Sequence, residues 1–474
     1  MFFDNFKFKF FITAAFLIAA FFSFYKLAES PHVWIDEGII TQVSRNIADH
    51  GKGIFQVAPD DFISASFVTT GYTVTYPVGL MFKLFGVGVL QARLIMIIFI
   101  LLFFLAFYFL IKRGYGAITA CFSLFLLVSF APVYGHGRNV LGEIPGLLFL
   151  ALFLLFIDKI LIDEKKISFG AAGLFLGLAI ATKPIFIILV PAVLLSLYFF
   201  RKEVLVVFLK NKNNLLIFAA PLAAALLVWF ITQFSGESIS SIWSFYSNPY
   251  AVNLKETIIS NLMRFFKEVQ PLYFLGLMCI WSFSFIIKYK EKIGRSLGET
   301  TAFIFSWLIF LAYLRTPGFY RYFFPGELLA LVYLTSSLIY IFKGKVKIIV
   351  IYTALILLVL FQLYQTLFHS WVADYYNSVG TSDLNRYFES IDRSEEVFIY
   401  QAPEILLFLP HNNYYQYIEI TDKVHIGEKN LPLLASGSIK KVILPIKTYA
   451  ALSDSFSHYR ISREVDKYLV LTAD

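Results

Sequence analysis

The sequence predicts an all-α polytopic membrane protein of about eleven transmembrane helices, with outer amphipathic juxtamembrane helices and a C-terminal soluble α/β domain. Three observations predict it. Of 474 residues, 58% are hydrophobic and only 15% charged, against about 25% charged in an ordinary soluble protein. So few polar groups cannot cover so much apolar surface, and lipid must serve as solvent. Apolar runs near the ~20 residues that a spanning helix needs recur along the chain. From about residue 370 the pattern changes to strand-like alternation.

The spans follow in order at 10–28, 90–111, 116–134, 143–161, 168–182, 185–200, 214–233, 272–288, 300–314, 322–342 and 348–367. The first follows Lys7 and Lys9 as a signal peptide would. It is too long for one and has no small-x-small cleavage site, so it reads as a retained span. The fifth and sixth are short and meet at Thr182-Lys183-Pro184. Pro184 disfavours helix at Lys183, which points to a tight hairpin; one broken span is the alternative and would change the parity.

Charge sets the sidedness. Eighteen Lys and Arg fall in six short segments: Lys7/Lys9, Lys112/Arg113, Lys159/Lys165/Lys166, Arg201/Lys202/Lys210/Lys212, Lys288/Lys290/Lys292/Arg295 and Lys343/Lys345/Lys347. Placing these inside satisfies the positive-inside rule at every turn. The N-terminus is then cytoplasmic, and the C-terminal domain is extracytoplasmic, in a bacterial or archaeal cell membrane. The net charge of +8 reflects that inner face and not a nucleic-acid partner. Cys121 and Cys279 both lie in apolar runs and suggest neither a disulfide framework nor a metal site.

The chain divides into a membrane domain, 1–369, and an outer α/β domain, 370–474. The first outer loop, 29–89, holds an amphipathic segment with Ile39, Ile40, Val43 and Ile47 on one face and Gln42, Arg45, Asn46 and Asp49 on the other. A helix lying on the membrane fits that pattern. "TYPVGLMFKLFGVG" is a second, too short to span. A further polar outer segment, about 234–271, has "SNPY" at its centre. In the tail, "EEVFIY", "YYQYIEI", "KKVILPI" and "KYLVLTA" read as strands.

The chemistry concentrates on the outer face. Asp36 and Glu37, in "HVWIDEG", open the first amphipathic helix. An Asp at a helix start serves as a cap; an ionised carboxylate there also serves as a general base, and the two roles are compatible. Beside other outer span ends stand His136, Arg138 and Glu143 in "GHGRNVLGE", Lys183 in "ATKPIF", and Arg315, Tyr320 and Arg321 in "RTPGFYRYFFPGE". Each cation alone reads as snorkelling or ion pairing. Gathered on the face that the positive-inside rule depletes, they suit one anionic ligand, a lipid-linked phosphate. Transfer of a sugar from a polyprenyl phosphate needs cations for the departing phosphate, a base for the acceptor hydroxyl, and a site out of bulk water. One carboxylate with direct displacement inverts the anomeric centre. A transporter or flippase of a lipid-linked substrate is the alternative. It would concentrate polar groups at the membrane midplane, where these spans are nearly uncharged. A bare membrane anchor for the tail leaves the outer cluster unexplained.

The acidic pair opening the outer helix, the segment "YPVGLMFKLFG" before a span led by Arg93, "GRNVLGE", the Lys183-Pro184 hairpin and "FYRYFFPGELLAL" together resemble the C-type glycosyltransferase superfamily. The branch most similar holds protein O-mannosyltransferases and lipid A aminoarabinose transferases. The resemblance spans roughly residues 10–345 and does not reach the tail. It implies Asp36 as base, Glu37 and Glu143 shaping the acceptor or sugar site, and Arg138, Lys183 and Arg321 near the phosphate, with His136 and Tyr320 in the same motifs touching substrate. Many relatives have Lys-Pro-Pro or His-Pro-Pro where this chain has Thr75-Tyr76-Pro77, leaving Lys183, Arg321 or Tyr76 to replace a phosphate ligand. Glu143 also stands where Asp is usual. The implied partners are a polyprenyl-phosphate-linked sugar, a glycan, lipid or protein acceptor, and the bilayer. No cofactor or metal is implied.

Overall fold

The computed structural model describes residues 2–163, 165–201, 213–247, 253–291, 296–421 and 424–473. The expected inner cations Lys202, Lys210, Lys212, Lys292 and Arg295, and Asn248–Tyr250 of the "SNPY" segment, lie outside the described residues.

Apolar helices stand at all eleven expected places. They are α1 (Phe2–Phe24), α4 (Val89–Val128), α6 (Glu143–Asp163), α7 (Lys166–Thr182), α8 (Leu189–Phe199), α9 (Asn213–Gln233), α12 (Val269–Glu291), α13 (Leu297–Tyr313), α14 (Phe324–Ile341) and α15 (Ile348–Phe368). α4 accounts for two of the places. Gly116 takes a left-handed φ of 82° within its 40 residues, a conformation that glycine adopts without a Cβ clash. The helix breaks there into the two expected spans. Six of the ten are long and apolar enough to cross a bilayer, and four are shorter.

The hairpin at Lys183 forms. Lys183 is extended (φ −157°, ψ 133°) between α7 and a 3-10 turn, Pro184–Ile188. α8 then runs back along the bundle: its far end brings Phe199 within 6.1 Å of Tyr289, at the basic end of α12. Lys288, counted in the sequence among the inner cations, is buried. It pairs with Glu299 at 2.8 Å and donates to the Tyr115 hydroxyl at 2.7 Å, so the charge is neutralised inside the bundle, as a buried ion must be.

Residues 29–89 form α2 (Ile35–His50), the antiparallel hairpin of β1 (Ile54–Ala58) and β2 (Asp61–Ser64), and α3 (Tyr72–Phe85). α2 corrects an expectation: both of its faces are covered, and it does not lie on the membrane. Its apolar face packs against α3 and β1. On the other face Gln42 donates to the Tyr414 hydroxyl at 2.6 Å, and Arg45 donates to the carbonyls of Leu406 and Leu409, each at 3.1 Å. The amphipathic pattern was real; its polar side meets protein. Gly38 makes this docking possible, because a Cβ there would sit 2.3 Å from the Glu404 backbone nitrogen.

The tail carries a six-stranded mixed sheet in the order β5-β4-β3-β6-β8-β7. The four expected strands are β3 (Val397–Tyr400), β4 (Tyr414–Thr421), β6 (Lys441–Pro445) and β8 (Tyr468–Ala473). β5 (Val424–Ile426) and β7 (Tyr459–Val465) are edge additions. β3 runs parallel to β4 and β6, with Ile399 opposite both Gln416 and Ile443. One sheet face shares a core with the 29–89 loop: Ile39, Val43, Phe55 and Val78 pack with Ile399, Ile405, Tyr414 and Val470. Each such side chain contributes about 1.5–3 kcal/mol on burial, so tail and loop hold each other in place.

Candidate active site

Asp36 and Glu37 occupy the first turn of α2, where successive side chains point about 100° apart. Glu37 turns inward. Its carboxylate accepts two parallel hydrogen bonds from Arg93, at 2.9 and 2.8 Å, and one from the Val140 amide at 3.3 Å. Arg93 also donates to the carbonyls of Leu27 and Pro31, both at 2.8 Å, and to Asn139 Oδ1 at 3.0 Å. Glu37 is therefore a structural anchor that fixes α2 against two loops. Its expected place at the reacting centre is corrected.

Asp36 turns outward into a cavity of about 330 Å³. It does not cap α2, which starts one residue before it with Trp34 in the cap position and no side-chain cap bond. Its carboxylate instead accepts a hydrogen bond from Arg321, which sits in a 3-10 turn, Tyr320–Tyr322, ahead of α14. Burial alone would lower the Arg321 pKa, but the charges of Asp36, Tyr322 and Glu143 outweigh it and raise the group above its ordinary value.

The other walls divide in character. Ile39, Ile40, Phe67, Val68, Pro184, Ile185, Leu254 and Ile420 make an apolar lining. Lys183, Arg315 and Arg321 bring three cations. Lys183 pairs with Glu143, and both are buried. Arg315, singled out in the sequence without an assigned role, is exposed at the cavity and has no carboxylate partner among the described residues. Phe245 and Tyr246 of α10 (Ile239–Ser247) and Leu254 of α11 (Leu254–Lys267) also border the cavity. Both helices expose apolar side chains, among them Trp243, Met263 and Phe266, as lipid-facing interfacial helices do.

Three expected site residues lie elsewhere. Arg138 is fully buried and donates to the Tyr25 carbonyl at the end of α1, so it borders neither Asp36 nor the cavity. Tyr76 faces Thr232 and Gln233 in a separate crevice. Tyr320 donates to Glu268, and the Arg264 guanidinium lies 4.8 Å above its ring. Shared sidedness put these residues in one group; it says nothing of which way each side chain points. His136, on the short helix α5 (Ala131–Gly137), does come close to the centre. Burial lowers its pKa to about 4, with Arg321 and Lys183 adding to the shift against the opposing charge of Glu143, so it is neutral at neutral pH.

Tyr320 and His136 line a second cavity of about 480 Å³, together with Trp34, Gln270, Arg321 and Trp371. Arg321 borders both cavities, so its pair with Asp36 stands where they meet. Trp34 and Trp371 carried no signal in the sequence, because only the fold brings residues so far apart in the chain together. Among the described residues, no group of three or more His, Cys, Asp or Glu is placed to hold a metal ion.

Residues 71–241 match a family model described as dolichyl-phosphate-mannose-protein mannosyltransferase. Two solved structures extend the likeness over nearly the whole chain. ArnT from Cupriavidus metallidurans bound to undecaprenyl phosphate is 15% identical with a TM-score of 0.64, over 97% of each chain. The Archaeoglobus fulgidus oligosaccharyltransferase in complex with Zn and sulfate is 14% identical with a TM-score of 0.55, over 95% of this chain and 71% of that one. No curated protein matches by sequence. The chain thus has the fold of the C-type membrane glycosyltransferases, as the resemblance implied. The likeness takes in the tail, where the sequence carried none. No comparison supports the transporter alternative.

Proposed function

We propose that the protein is an integral membrane glycosyltransferase that moves a sugar from a polyprenyl-phosphate donor to an acceptor hydroxyl or amine, with inversion, at the extracytoplasmic face. One observation carries the reading: among the described residues, Asp36 is the one carboxylate lining a cavity that combines three cations with apolar walls. A lipid phosphate has that same division between a charged head and an apolar tail. The exposed apolar faces of α10 and α11, bordering the cavity, suit a tail that reaches in from the bilayer.

In this reading the acceptor oxygen attacks the anomeric carbon while its proton passes to Asp36. The bond from that carbon to the phosphate oxygen breaks, and the oxygen keeps the electron pair. Arg321 and Arg315, with Lys183 behind them, stabilise the growing phosphate charge. Glu37 and Glu143, paired with Arg93 and Lys183, do not line the cavity, so no second carboxylate stands ready as a nucleophile, and direct displacement with inversion follows. Residues 1–369 form the membrane part. The outer domain, 370–474, closes one wall through Ile420 and Thr421. The test is transfer in membranes supplied with radiolabelled undecaprenyl-phosphate sugars. Wild type should consume the donor and Asp36→Asn should not, and the product should have the opposite anomeric configuration. Retained configuration would exclude the single-carboxylate mechanism.

A further inference from the structure

The two cavities that meet at Arg321 differ in chemistry. The first has mostly aliphatic walls and three cations. The second is walled by aromatic faces. Trp34 and Trp371 stand edge to face, their rings 5.5 Å apart. Gly135 gives the Trp371 ring room: a Cβ there would already lie 3.3 Å from it. Tyr320 is anchored by Glu268. The His136 ring packs 4.8 Å from Phe324, and Gln270 and Ser370 complete the polar side.

We infer that the second cavity binds the acceptor and that the acceptor is a carbohydrate, one sugar seated against Trp34 and Trp371 with a hydroxyl directed past Arg321 toward Asp36. The inference rests on the glycosyltransferase reading and adds the acceptor class to it. A sugar ring presents apolar C–H faces and a rim of hydroxyls that both donate and accept. Rigid aromatic faces cover the first at low entropic cost. Neutral His136 and the Gln270 amide each offer a donor and an acceptor to the second. The rim's cationic Arg264 is already answered by Glu268 at 2.8 Å.

A peptide fits less well. Extended peptides are held by free main-chain groups; in this lining the carbonyls of Phe319 and Tyr320 already accept from Tyr322 and Phe323, and the His369 amide already donates to Gln365. A lipid acceptor would call for long aliphatic walls such as those of the first cavity.

The test uses the full chain in detergent, with undecaprenyl phosphate carrying radiolabelled mannose, glucose or arabinose. Three acceptors compete: a mannose or glucosamine oligosaccharide, a Ser/Thr-containing peptide, and diacylglycerol. Label should enter the oligosaccharide. Trp371→Ala should raise the acceptor KM about tenfold, the equivalent of one lost aromatic contact, and raise it more than the donor KM. Trp371→Phe, which keeps an aromatic face, should restore most of it. Gln270→Leu, close to isosteric, gives the same split should Trp371→Ala fail to fold. Preferential labelling of peptide or diacylglycerol, or an acceptor KM untouched by either variant, overturns the inference and leaves the glycosyltransferase reading standing. A protein that turns over no donor, even to water, overturns both.

Discussion

Glu37 and Arg93 face each other out of contact with solvent, joined by two parallel hydrogen bonds of 2.9 and 2.8 Å. Planar, two-pronged pairing of this kind is among the strongest that side chains make. It ties the start of α2 to the second turn of α4, and through Arg93 to the carbonyls of Leu27 and Pro31. Glu37 is thereby turned away from the cavity, and Asp36, paired with Arg321, is the carboxylate that lines it.

Glu37→Gln should therefore damage the fold before it damages chemistry. It leaves the Arg93 charge buried without a counter-ion, which costs about 3–5 kcal/mol. The expected outcome is a lower unfolding midpoint in detergent and less folded protein in membranes. Arg93→Lys should not rescue it, since an ammonium cannot span both oxygens. A Glu37→Gln protein of normal stability but no transfer would return Glu37 to the reacting centre.

Lys183 and Arg315 border the same cavity and should respond differently. Lys183 is buried and committed to Glu143, so Lys183→Met strands that carboxylate and costs stability as well as donor use. Arg315 is exposed, with no carboxylate partner among the described residues. Arg315→Ala should leave the unfolding midpoint in place and raise the donor KM roughly tenfold, the loss expected for one charge-assisted contact to phosphate. A kinetic comparison across salt concentrations checks the cause: the Arg315→Ala penalty should shrink as salt screens the charge. An unchanged donor KM would remove Arg315 from the phosphate site.

What was legible in the sequence follows from which forces act locally. The eleven spans rest on apolar length alone, and four tail strands on strand-like pattern, so both could be read. β7 could not: its burial is confined to Tyr459 and Val465, with charged residues exposed between them, which looks like a loop. The β1–β2 hairpin is too short to announce itself. Grouping by the charge bias put Asp36, Lys183 and Arg321 on one face, and the three line one cavity. It could not separate Asp36 from Glu37, because one residue along a helix turns a side chain by about 100°. For the same reason Arg138 and Tyr76, grouped with them in the sequence, do not line the cavity.

Acid should weaken the contact between tail and loop. His32 stacks on Tyr375 and faces Asp466 at 3.3 Å. Burial lowers its pKa to about 3, helped by the charges of Lys467 and Arg93. Unfolded, it titrates near 6.5. Below that pH the unfolded chain takes up a proton that the folded one refuses, so stability falls as pH drops from about 6.5 toward 3, by up to about 1.4 kcal/mol per pH unit. His136 acts in the same direction, while the raised pKa of Asp466, caused mainly by its burial, opposes it in part. His32→Asn should flatten the decline of the unfolding midpoint between pH 6.5 and 4. A decline as steep as in wild type would assign the acid sensitivity elsewhere.

The pairing of Asp36 with Arg321 admits two explanations, and a double variant separates them. If Asp36 is the base, Asp36→Asn should cost about 10²–10⁴ in kcat, with the unfolding midpoint kept because the carboxylate is partly exposed. Arg321→Gln should also lose kcat, since the leaving phosphate then lacks its nearest cation. Groups that serve one transition state are strongly non-additive, so the double variant should be about as inactive as the worse single one. If Asp36 is only the counter-ion of Arg321, removing both charges together should relieve the mismatch left by removing one, and the double variant should recover activity relative to Asp36→Asn. Loss without recovery points to the base, because a proton acceptor cannot be replaced by deleting its neighbour.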